Sequence, residues 1–158
     1  MSASPVEIQR AGVGDADAII PLMAAFNAEE GIAWRPEPMG SALRRLLAEP
    51  NLGFVVLARD RASGAVVGYG LATFGYDLEF AGVDAFITEL FVDSSLRKRG
   101  VGVALLDALV TQLRTCGAKA VHLMVRPENE RARALYEGRG FGATPRVMLT
   151  KRLDAGDD

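Results

Sequence analysis

A strand pattern and a helix pattern meet at the stretch Arg97-Lys98-Arg99-Gly100-Val101-Gly102. Before it, residues 85–92 are apolar and β-prone, and after it apolar residues recur at helical spacing over residues 103–113. The first N–H groups of a helix have no partner within the helix, and the helix dipole adds partial positive charge there. Because Gly100 and Gly102 lack a Cβ, an anion can approach this backbone closely. Three consecutive cationic side chains favour a ligand with more than one phosphate, so the stretch predicts a strand–turn–helix unit that binds phosphates.

Spacing excludes two well-known glycine-rich phosphate loops. A dinucleotide fingerprint needs a third glycine where Leu105 stands, and a nucleotide P-loop needs Gly-Lys-Ser/Thr, which is absent. From these six residues alone, a solvated corner between a strand and a helix remains an alternative. The pattern that does match is Arg/Gln-x-x-Gly-x-Gly/Ala, met by Arg97, Gly100 and Gly102, and it is similar to the loop that holds the pyrophosphate of acyl-coenzyme A in one enzyme superfamily.

Composition is typical of a soluble globular protein. The 158 residues, 49% hydrophobic and 24% charged, suit a single domain, which we expect over residues 1–153, with a disordered tail over residues 154–158. A net charge of −2 disfavours a nucleic-acid partner, and no apolar run approaches the ~20 residues of a transmembrane helix. No apolar run near the start is typical of a signal peptide, and the single cysteine excludes an internal disulfide. We therefore expect a cytoplasmic protein.

The periodicities predict the element order β-α-α-β-β-β-α-β-α-β. This order is typical of a mixed α/β sheet, largely antiparallel, with one parallel crossover through the helix that follows Gly102. Loops are expected over residues 31–38 and 75–84. The last helix is predicted over residues 129–138, and the final strands are predicted at Phe141 and over residues 147–150.

A second motif covers residues 129–141, Asn129-Glu130-Arg131-Ala132-Arg133-Ala134-Leu135-Tyr136-Glu137-Gly138-Arg139-Gly140-Phe141. It matches the pattern Asn-x-x-Ala-x-x-Leu/Phe-Tyr-x-x-x-Gly-Phe at every specified position. With the glycine loop before it, the chain resembles the GNAT superfamily of N-acetyltransferases, closely over residues 85–150 and in element order before that. The resemblance implies an acyl-CoA N-acyltransferase fold: a twisted mixed sheet, flanked by helices and splayed open between its two parallel strands.

The resemblance also implies how acetyl-CoA, the co-substrate, is held. The backbone of the strand before the loop runs beside the pantetheine arm, the loop and first helical turn hold the pyrophosphate, and Asn129 meets the pantetheine amides or caps its helix. The residues expected to bind it are Leu90, Phe91, Val92, Arg97, Lys98, Arg99, Gly100, Val101, Gly102, Val103, Asn129 and Tyr136.

Two side chains are candidates for the proton transfers. Tyr136 matches the family's general acid, which protonates the leaving thiolate, and a core tyrosine on an apolar helix face is the alternative. Glu89 lies within an apolar strand, where desolvation raises a carboxyl pKa, so it is the candidate base that deprotonates the acceptor amine. A structural carboxylate, or one that binds the substrate ammonium, is the alternative for Glu89. His122 is interpreted as a structural histidine.

The function predicted from these motifs is acetyl transfer from acetyl-CoA to a primary amine of a small molecule, by direct attack in a ternary complex. The alternatives are a peptide or protein amine acceptor, either an N-terminus or a lysine, and a non-catalytic CoA-binding sensor. A short, closed loop over residues 31–38 favours the small acceptor. One histidine and one cysteine make a zinc site improbable, so we expect no metal, and we expect no nucleic-acid or membrane partner. A homodimer is expected only from the habit of the family.

Overall fold

The computed structural model describes residues 3–154. The chain divides into two compact units, Met1–Met124 and Val125–Asp158. The helices and strands are β1 (Val6–Arg10), α1 (Ala16–Glu30), α2 (Pro36–Ala48), β2 (Gly53–Asp60), β3 (Val66–Asp77), β4 (Gly82–Val92), α3 (Val101–Thr115), β5 (Ala120–Leu123) and α4 (Glu130–Gly138), with 3₁₀ turns at Val13–Asp15 and Ser94–Leu96.

The first unit is built on one five-stranded sheet in the order β1-β2-β3-β4-β5. The first four strands pair antiparallel with their sequence neighbours, whereas β4 and β5 are parallel and are joined through α3. A parallel pair needs such a crossover, because the chain must return to the same end of the sheet. The predicted mixed sheet with one parallel crossover is confirmed.

Helices cover both faces of this sheet. One face carries Leu71 and Phe91 and packs against apolar residues of α1 and α2, such as Ile19 and Leu43. The other face meets α3, whose buried leucines lie directly over glycines of β3. A Cβ built on Gly70 would lie 2.6 Å from Cδ1 of Leu109. Glycine in β3 therefore sets the close approach of α3 to the sheet.

Strand β4 contains one extra residue, Thr88. The register with β3 passes from Leu71–Glu89 directly to Ala72–Ile87, which leaves Thr88 unmatched. Such a bulge changes the face on which later side chains lie. Phe86 and Glu89 are three residues apart and would lie on opposite faces of a regular strand, but the bulge places both on the face of α1 and α2.

Two loop predictions are wrong in their extent. The loop predicted over residues 31–38 is shorter, because α2 begins at Pro36. Prolines are tolerated in the first turn of a helix, where their missing N–H would have no partner in any case. The connection predicted over residues 75–84 is also shorter, since β3 and β4 stay paired as far as Asp77–Gly82.

The second unit contains α4, as predicted. The strands predicted at Phe141 and over residues 147–150 are wrong, since none forms within residues 125–154. A strand is stable only when its backbone pairs with a neighbour, and the described part of this unit offers no other strand. Of the predicted tail, Asp154 forms an ion pair with Arg152, and residues 155–158 lie outside the described residues.

Within residues 3–154, no helix is both long and apolar enough to cross a membrane.

Candidate active site

The connection from β4 to α3 forms an exposed turn with a defined backbone. Asp93 accepts hydrogen bonds from the backbone N–H and the hydroxyl of Ser95, at 3.0 and 2.6 Å, and these bonds lower the pKa of Asp93. Lys98 and Gly100 both have positive φ, at 66° and 78°, and α3 begins directly after Gly100. The carbonyl of Gly100 accepts the hydrogen bond from the N–H of Ala104. The N–H groups of residues 101–103 precede that bond and have no acceptor within the helix.

Gly102, on the first turn of α3, has room for a side chain. A Cβ added there would meet only Cγ2 of Val92, at 3.8 Å, which is an ordinary contact. The protein interior therefore does not require glycine at this position. A glycine that packing does not explain is consistent with close approach of a ligand to the backbone.

Arg97 lies beside the turn and contacts both β4 and α1. Its Nε donates to the carbonyl of Val92 at 2.8 Å, and its guanidinium pairs with the carboxylate of Glu29 at 2.5 Å. The guanidinium carbon also lies 5.3 Å from the centre of the Phe91 ring. The side chains of Lys98 and Arg99 are exposed on the same turn. Three of the predicted cationic residues thus surround the predicted anion site, and Arg97 is already held by an ion pair.

In the described part of the chain, the C-terminal half of β4 has no neighbouring strand on one edge, where only the carbonyl of Val92 is known to accept a hydrogen bond, from Nε of Arg97. Pairing with β5 ends at Ile87–Leu123, whereas pairing with β3 continues to Val92–Gly68. Within residues 3–154, no strand therefore pairs with the β5 side of Leu90, Phe91 and Val92. Strand β5 ends at Leu123, so this part of β4 has no described strand partner on that side, and such an edge can pair with the amides of an extended ligand.

Glu89 lies on this strand, partly buried, and Tyr69 holds its carboxylate. The Tyr69 hydroxyl donates to Oε1 of Glu89 at 2.7 Å, and the tyrosine side chain is fully buried. Burial raises the pKa of Glu89, and the hydrogen bond from Tyr69 opposes that rise. Burial, followed by the charge of Glu89, raises the pKa of Tyr69, so the phenol stays a donor. The carboxylate is therefore oriented and more basic than an exposed glutamate.

A second polar pair lies on the same face of the sheet. His122 on β5 and Asp84 on β4 form a hydrogen bond of 3.0 Å between Nε2 and Oδ2. Asp84 is 5% exposed, whereas 28% of the His122 side chain is exposed. The imidazole also packs against Phe80 and Phe86, with ring centres 5.4 and 4.9 Å away. His122 is thus a histidine of defined orientation, one residue before β5 and its pairing with β4 end.

The other two predicted residues belong to the second unit. The side chain of Asn129 caps α4, accepting a hydrogen bond from the N–H of Ala132 at 3.2 Å. Tyr136 lies in the last turn of α4, and its ring meets that of Phe141 edge-on, with centres 6.0 Å apart. The backbone N–H of Phe141 donates to the carbonyl of Tyr136. The motif therefore forms a capped helix that closes on its own aromatic pair.

Three polar contacts of the first unit were not predicted from the sequence. They are Tyr69 with Glu89, Glu29 with Arg97, and Asp84 with His122. Each joins residues of different elements at a separation of 20 residues or more. The sequence shows only that Glu89 and His122 are ionisable residues within apolar strands. It does not indicate which residues they contact.

Known proteins share this architecture and these motifs. The model of the acetyltransferase (GNAT) family matches residues 19–141. An L-methionine sulfoximine/L-methionine sulfone acetyltransferase from Pseudomonas paraeruginosa is 29% identical over 153 residues, which cover 93% of this chain and 86% of that protein. A [ribosomal protein bS18]-alanine N-acetyltransferase from Salmonella typhimurium is 40% identical over 58 residues, 37% of this chain and 39% of that protein.

The fold is also found in a crystal structure of an integron cassette protein from the mobile metagenome of Cole Harbour Salt Marsh. It superposes with a TM-score of 0.84 at 26% identity and covers 98% of this chain and 95% of that one. The family match includes most of the chain, with the strand–turn–helix unit and helix α4 inside it. The chain therefore belongs to the acetyltransferase (GNAT) family, whose enzymes use acetyl-CoA.

Proposed function

We propose that this acetyltransferase transfers the acetyl group of acetyl-CoA to the primary amine of a small molecule, by direct attack in a ternary complex. The observation that carries the proposal is the similarity, over 93% of the chain, to an enzyme that acetylates L-methionine sulfoximine and L-methionine sulfone. The enzyme that acetylates a ribosomal protein matches only 37% of the chain.

The connection between α1 and α2 supports a small acceptor. Helix α1 ends at Glu30 and α2 begins at Pro36, so only residues 31–35 join them. A connection of five residues offers little length for the groove that a peptide acceptor would need, which favours a small acceptor.

For acetyl-CoA, we propose the binding residues that the family resemblance implies. The backbone of Leu90, Phe91 and Val92 pairs with the pantetheine amides, and a backbone N–H near Phe91 polarises the thioester carbonyl. The pyrophosphate is held by Arg97 and by the turn and first helical residues: Lys98, Arg99, Gly100, Val101, Gly102 and Val103. The edge of β4 that no described strand pairs with, and a glycine at position 102 that packing does not require, support these roles. Asn129 and Tyr136 complete the set.

Glu89 and Tyr136 carry the proton transfers in this proposal. An alkylammonium must lose a proton before its nitrogen can attack, and the partly buried Glu89 carboxylate, with its raised pKa, is suited to accept it. Tyr136 gives its proton to the sulfur as the C–S bond breaks. Water-excluded carboxylates are effective bases because their pKa lies closer to the pH at which the enzyme works.

A peptide or protein amine is the second candidate acceptor. It is favoured by the 40% identity to the ribosomal-protein enzyme over 58 residues, which is higher than the identity to the methionine sulfoximine enzyme although the stretch is shorter. Enzymes that bind the same co-substrate can be highly identical over a short stretch whatever their acceptor. The share of the chain that is matched is therefore the stronger guide to the acceptor than the percent identity over a short segment.

The experiment is calorimetric titration with acetyl-CoA, followed by a thiol-release assay with L-methionine sulfoximine, simple primary amines and an alanyl peptide as acceptors. We expect binding, and release with a small amine but not with the peptide. Release with the peptide alone contradicts the small-molecule proposal. Binding without release on any acceptor favours a CoA-binding sensor.

The proposal also includes a cytoplasmic homodimer that needs no metal and has no nucleic-acid or membrane partner. The exposed free Cys116 is consistent with a reducing compartment. Sedimentation equilibrium of the purified protein distinguishes a dimer from a monomer. Turnover that is unchanged after dialysis against a chelator distinguishes a metal-free reaction from a metal-dependent one.

A further inference from the structure

We propose that His122, oriented by Asp84, contacts the acceptor amine and takes one of the two protons that its nitrogen loses during acetyl transfer. This inference rests on the proposed function and adds a residue to it. It starts from the position of His122 at the end of the paired region of β4 and β5.

His122 lies on the same face of the sheet as Glu89 and Asp84. Directly paired residues of neighbouring strands lie on the same face. The pairs Leu71–Glu89, Thr73–Phe86 and Gly75–Asp84 therefore place Glu89, Phe86 and Asp84 on one face. His122 pairs with Phe86 and bonds to Asp84, so it lies on that face too.

The bulge at Thr88 is what brings Glu89 to this face. Phe86 and Glu89 are then about 10 Å apart along β4, at about 3.3 Å per residue. The bond to Asp84 draws the imidazole away from Glu89, so the two side chains do not meet directly. Two hydrogen bonds to one amine nitrogen span about 6 Å, which allows a nitrogen that lies between Glu89 and His122 to reach both. The part of β4 whose edge no described strand pairs with, Leu90–Val92, begins immediately beyond them, and the thioester is proposed to lie there.

The surroundings of His122 fix one tautomer. The buried Asp84 carboxylate can only accept a hydrogen bond, so Nε2 carries the proton that is donated to it. In the neutral imidazole, Nδ1 is then left with its lone pair. Phe80 and Phe86 pack against the ring and restrict its rotation. A nitrogen base held by a carboxylate in this way is the arrangement that general bases use in other enzymes.

Gly75 is part of this arrangement. A Cβ built on Gly75 would lie 2.6 Å from Oδ1 of Asp84. The absence of a side chain at Gly75 therefore leaves the space in which the buried carboxylate lies. The sheet is shaped to hold a carboxylate behind this histidine.

Acetyl transfer releases more protons from the acceptor than Glu89 alone can take, and His122 can accept the other. An alkylammonium nitrogen loses two protons on the way to the amide. Glu89 takes the first, which allows the C–N bond to form. His122 takes the second through Nδ1 while the C–S bond breaks. The sulfur receives one proton from Tyr136, one proton returns to Tyr136, and one leaves to solvent. No electrons are exchanged with another reagent.

The test uses the fact that His122 is the one histidine of the sequence. In ¹⁵N-labelled protein, the imidazole nitrogen signals belong to this residue alone. We expect the proton on Nε2 in the wild type without any substrate. In Asp84→Asn, whose amide can also donate, we expect the proton to move wholly or partly to Nδ1. A wild-type proton on Nδ1 overturns the inference.

Turnover is measured in parallel. His122→Gln keeps a donor for Asp84 but has no basic nitrogen, so kcat/KM for the acceptor should fall by about 100-fold or more. Its acetyl-CoA affinity and Tm should match the wild type. Asp84→Asn should also lose activity, whereas Asp60→Asn, which removes an equal charge at the end of β2, far along the sheet from β4, should not. Unchanged turnover in His122→Gln, or a parallel loss of turnover, affinity and Tm, overturns the role of His122.

Wild-type turnover tests the proposed function separately. If no acceptor is acetylated, the proposed function is overturned, and this role of His122 with it. If the wild type is active and His122→Gln is equally active, only the role of His122 is overturned.

Discussion

Glu89 shows how one buried contact prepares a carboxylate for chemistry. It is partly buried in β4, so its charged form loses hydration and its pKa rises. The Tyr69 hydroxyl compensates part of this loss with a hydrogen bond of 2.7 Å and at the same time orients the carboxylate. An oriented carboxylate with a raised pKa is what a general base requires.

At this residue scale, Glu89→Gln should lower kcat/KM by about 100-fold near neutral pH, because the base is lost. In the wild type, kcat/KM should rise with pH through the raised pKa of Glu89, and the variant should lack this rise. Tyr69→Phe is the matched control. It removes the hydrogen bond that lowers the pKa of Glu89, so the rise should move to higher pH. A loss in Glu89→Gln that is equal at every pH contradicts the assignment.

Stability gives an independent readout of the same residue. Since the folded-state pKa of Glu89 is raised, its favourable contribution is complete below the unfolded-state pKa and is lost as the pH rises through the folded-state pKa. The neutral glutamine has no such dependence. The Tm of Glu89→Gln should therefore increase relative to the wild type as the pH is raised from acidic to neutral.

At the scale of elements, the turn between β4 and α3 is shaped for an anion and not for packing. The backbone at Lys98 and Gly100 is left-handed, and the first N–H groups of α3 follow it. For a non-glycine residue such as Lys98 this conformation costs on the order of 1 kcal/mol. Strain of this kind is found where a loop is held ready for a ligand.

Gly102→Leu should weaken acetyl-CoA binding at least tenfold, because the side chain covers the N–H groups of the first turn. The fold should be retained, since a Cβ there meets only Val92 at 3.8 Å, and leucine is a better helix former than glycine. Gly102→Ala is the control, because the loop pattern admits alanine at this position, and it should bind nearly as well as the wild type. Calorimetry and Tm measure both effects. Equal affinity of Gly102→Leu and the wild type contradicts the phosphate-loop assignment.

The ion pair of Arg97 with Glu29 ties α1 to this turn. Its two side chains are 39% and 49% exposed, so it adds little to stability. Glu29→Gln should nevertheless tighten acetyl-CoA binding a few-fold, because it removes a negative charge, worth on the order of 1 kcal/mol in water, beside the anion site. Glu49→Gln breaks a comparable exposed pair, with Arg45, and should have no effect. High salt should reduce the gain. Weaker binding in Glu29→Gln would mean that the pair is needed to position Arg97.

At the scale of the whole molecule, acetyl-CoA should stabilise the folded chain by mass action. At a concentration of about 100 times Kd the gain is about 2.7 kcal/mol, which raises the Tm of a chain this long by roughly 5–10 °C. Adenosine, which lacks the pyrophosphate, should give a much smaller shift at the same concentration. Thermal unfolding followed by circular dichroism measures both. Equal shifts contradict binding through the phosphates.

Sequence periodicity was sufficient to predict the elements that bury one apolar face. It predicted the long helices, the strands of the first unit and the parallel crossover, because an amphipathic pattern follows from burial of one face. It was wrong for the strands at Phe141 and over residues 147–150, because a strand also needs a partner, and periodicity names none. It also placed the start of α2 late, since Pro36 and Pro38 were interpreted as loop signals and not as a helix N-terminus.

The two motifs, at Arg97–Gly102 and Asn129–Phe141, determined by themselves the family and the co-substrate, because a turn and a capped helix are local structures set by neighbouring residues. The tertiary structure alone decided which side chains of different strands meet. The bulge at Thr88 places Glu89 on the same face of the sheet as His122. Glu89 forms a hydrogen bond with Tyr69, and His122 forms one with Asp84. Strand register depends on pairing between distant segments, so no local pattern contains it.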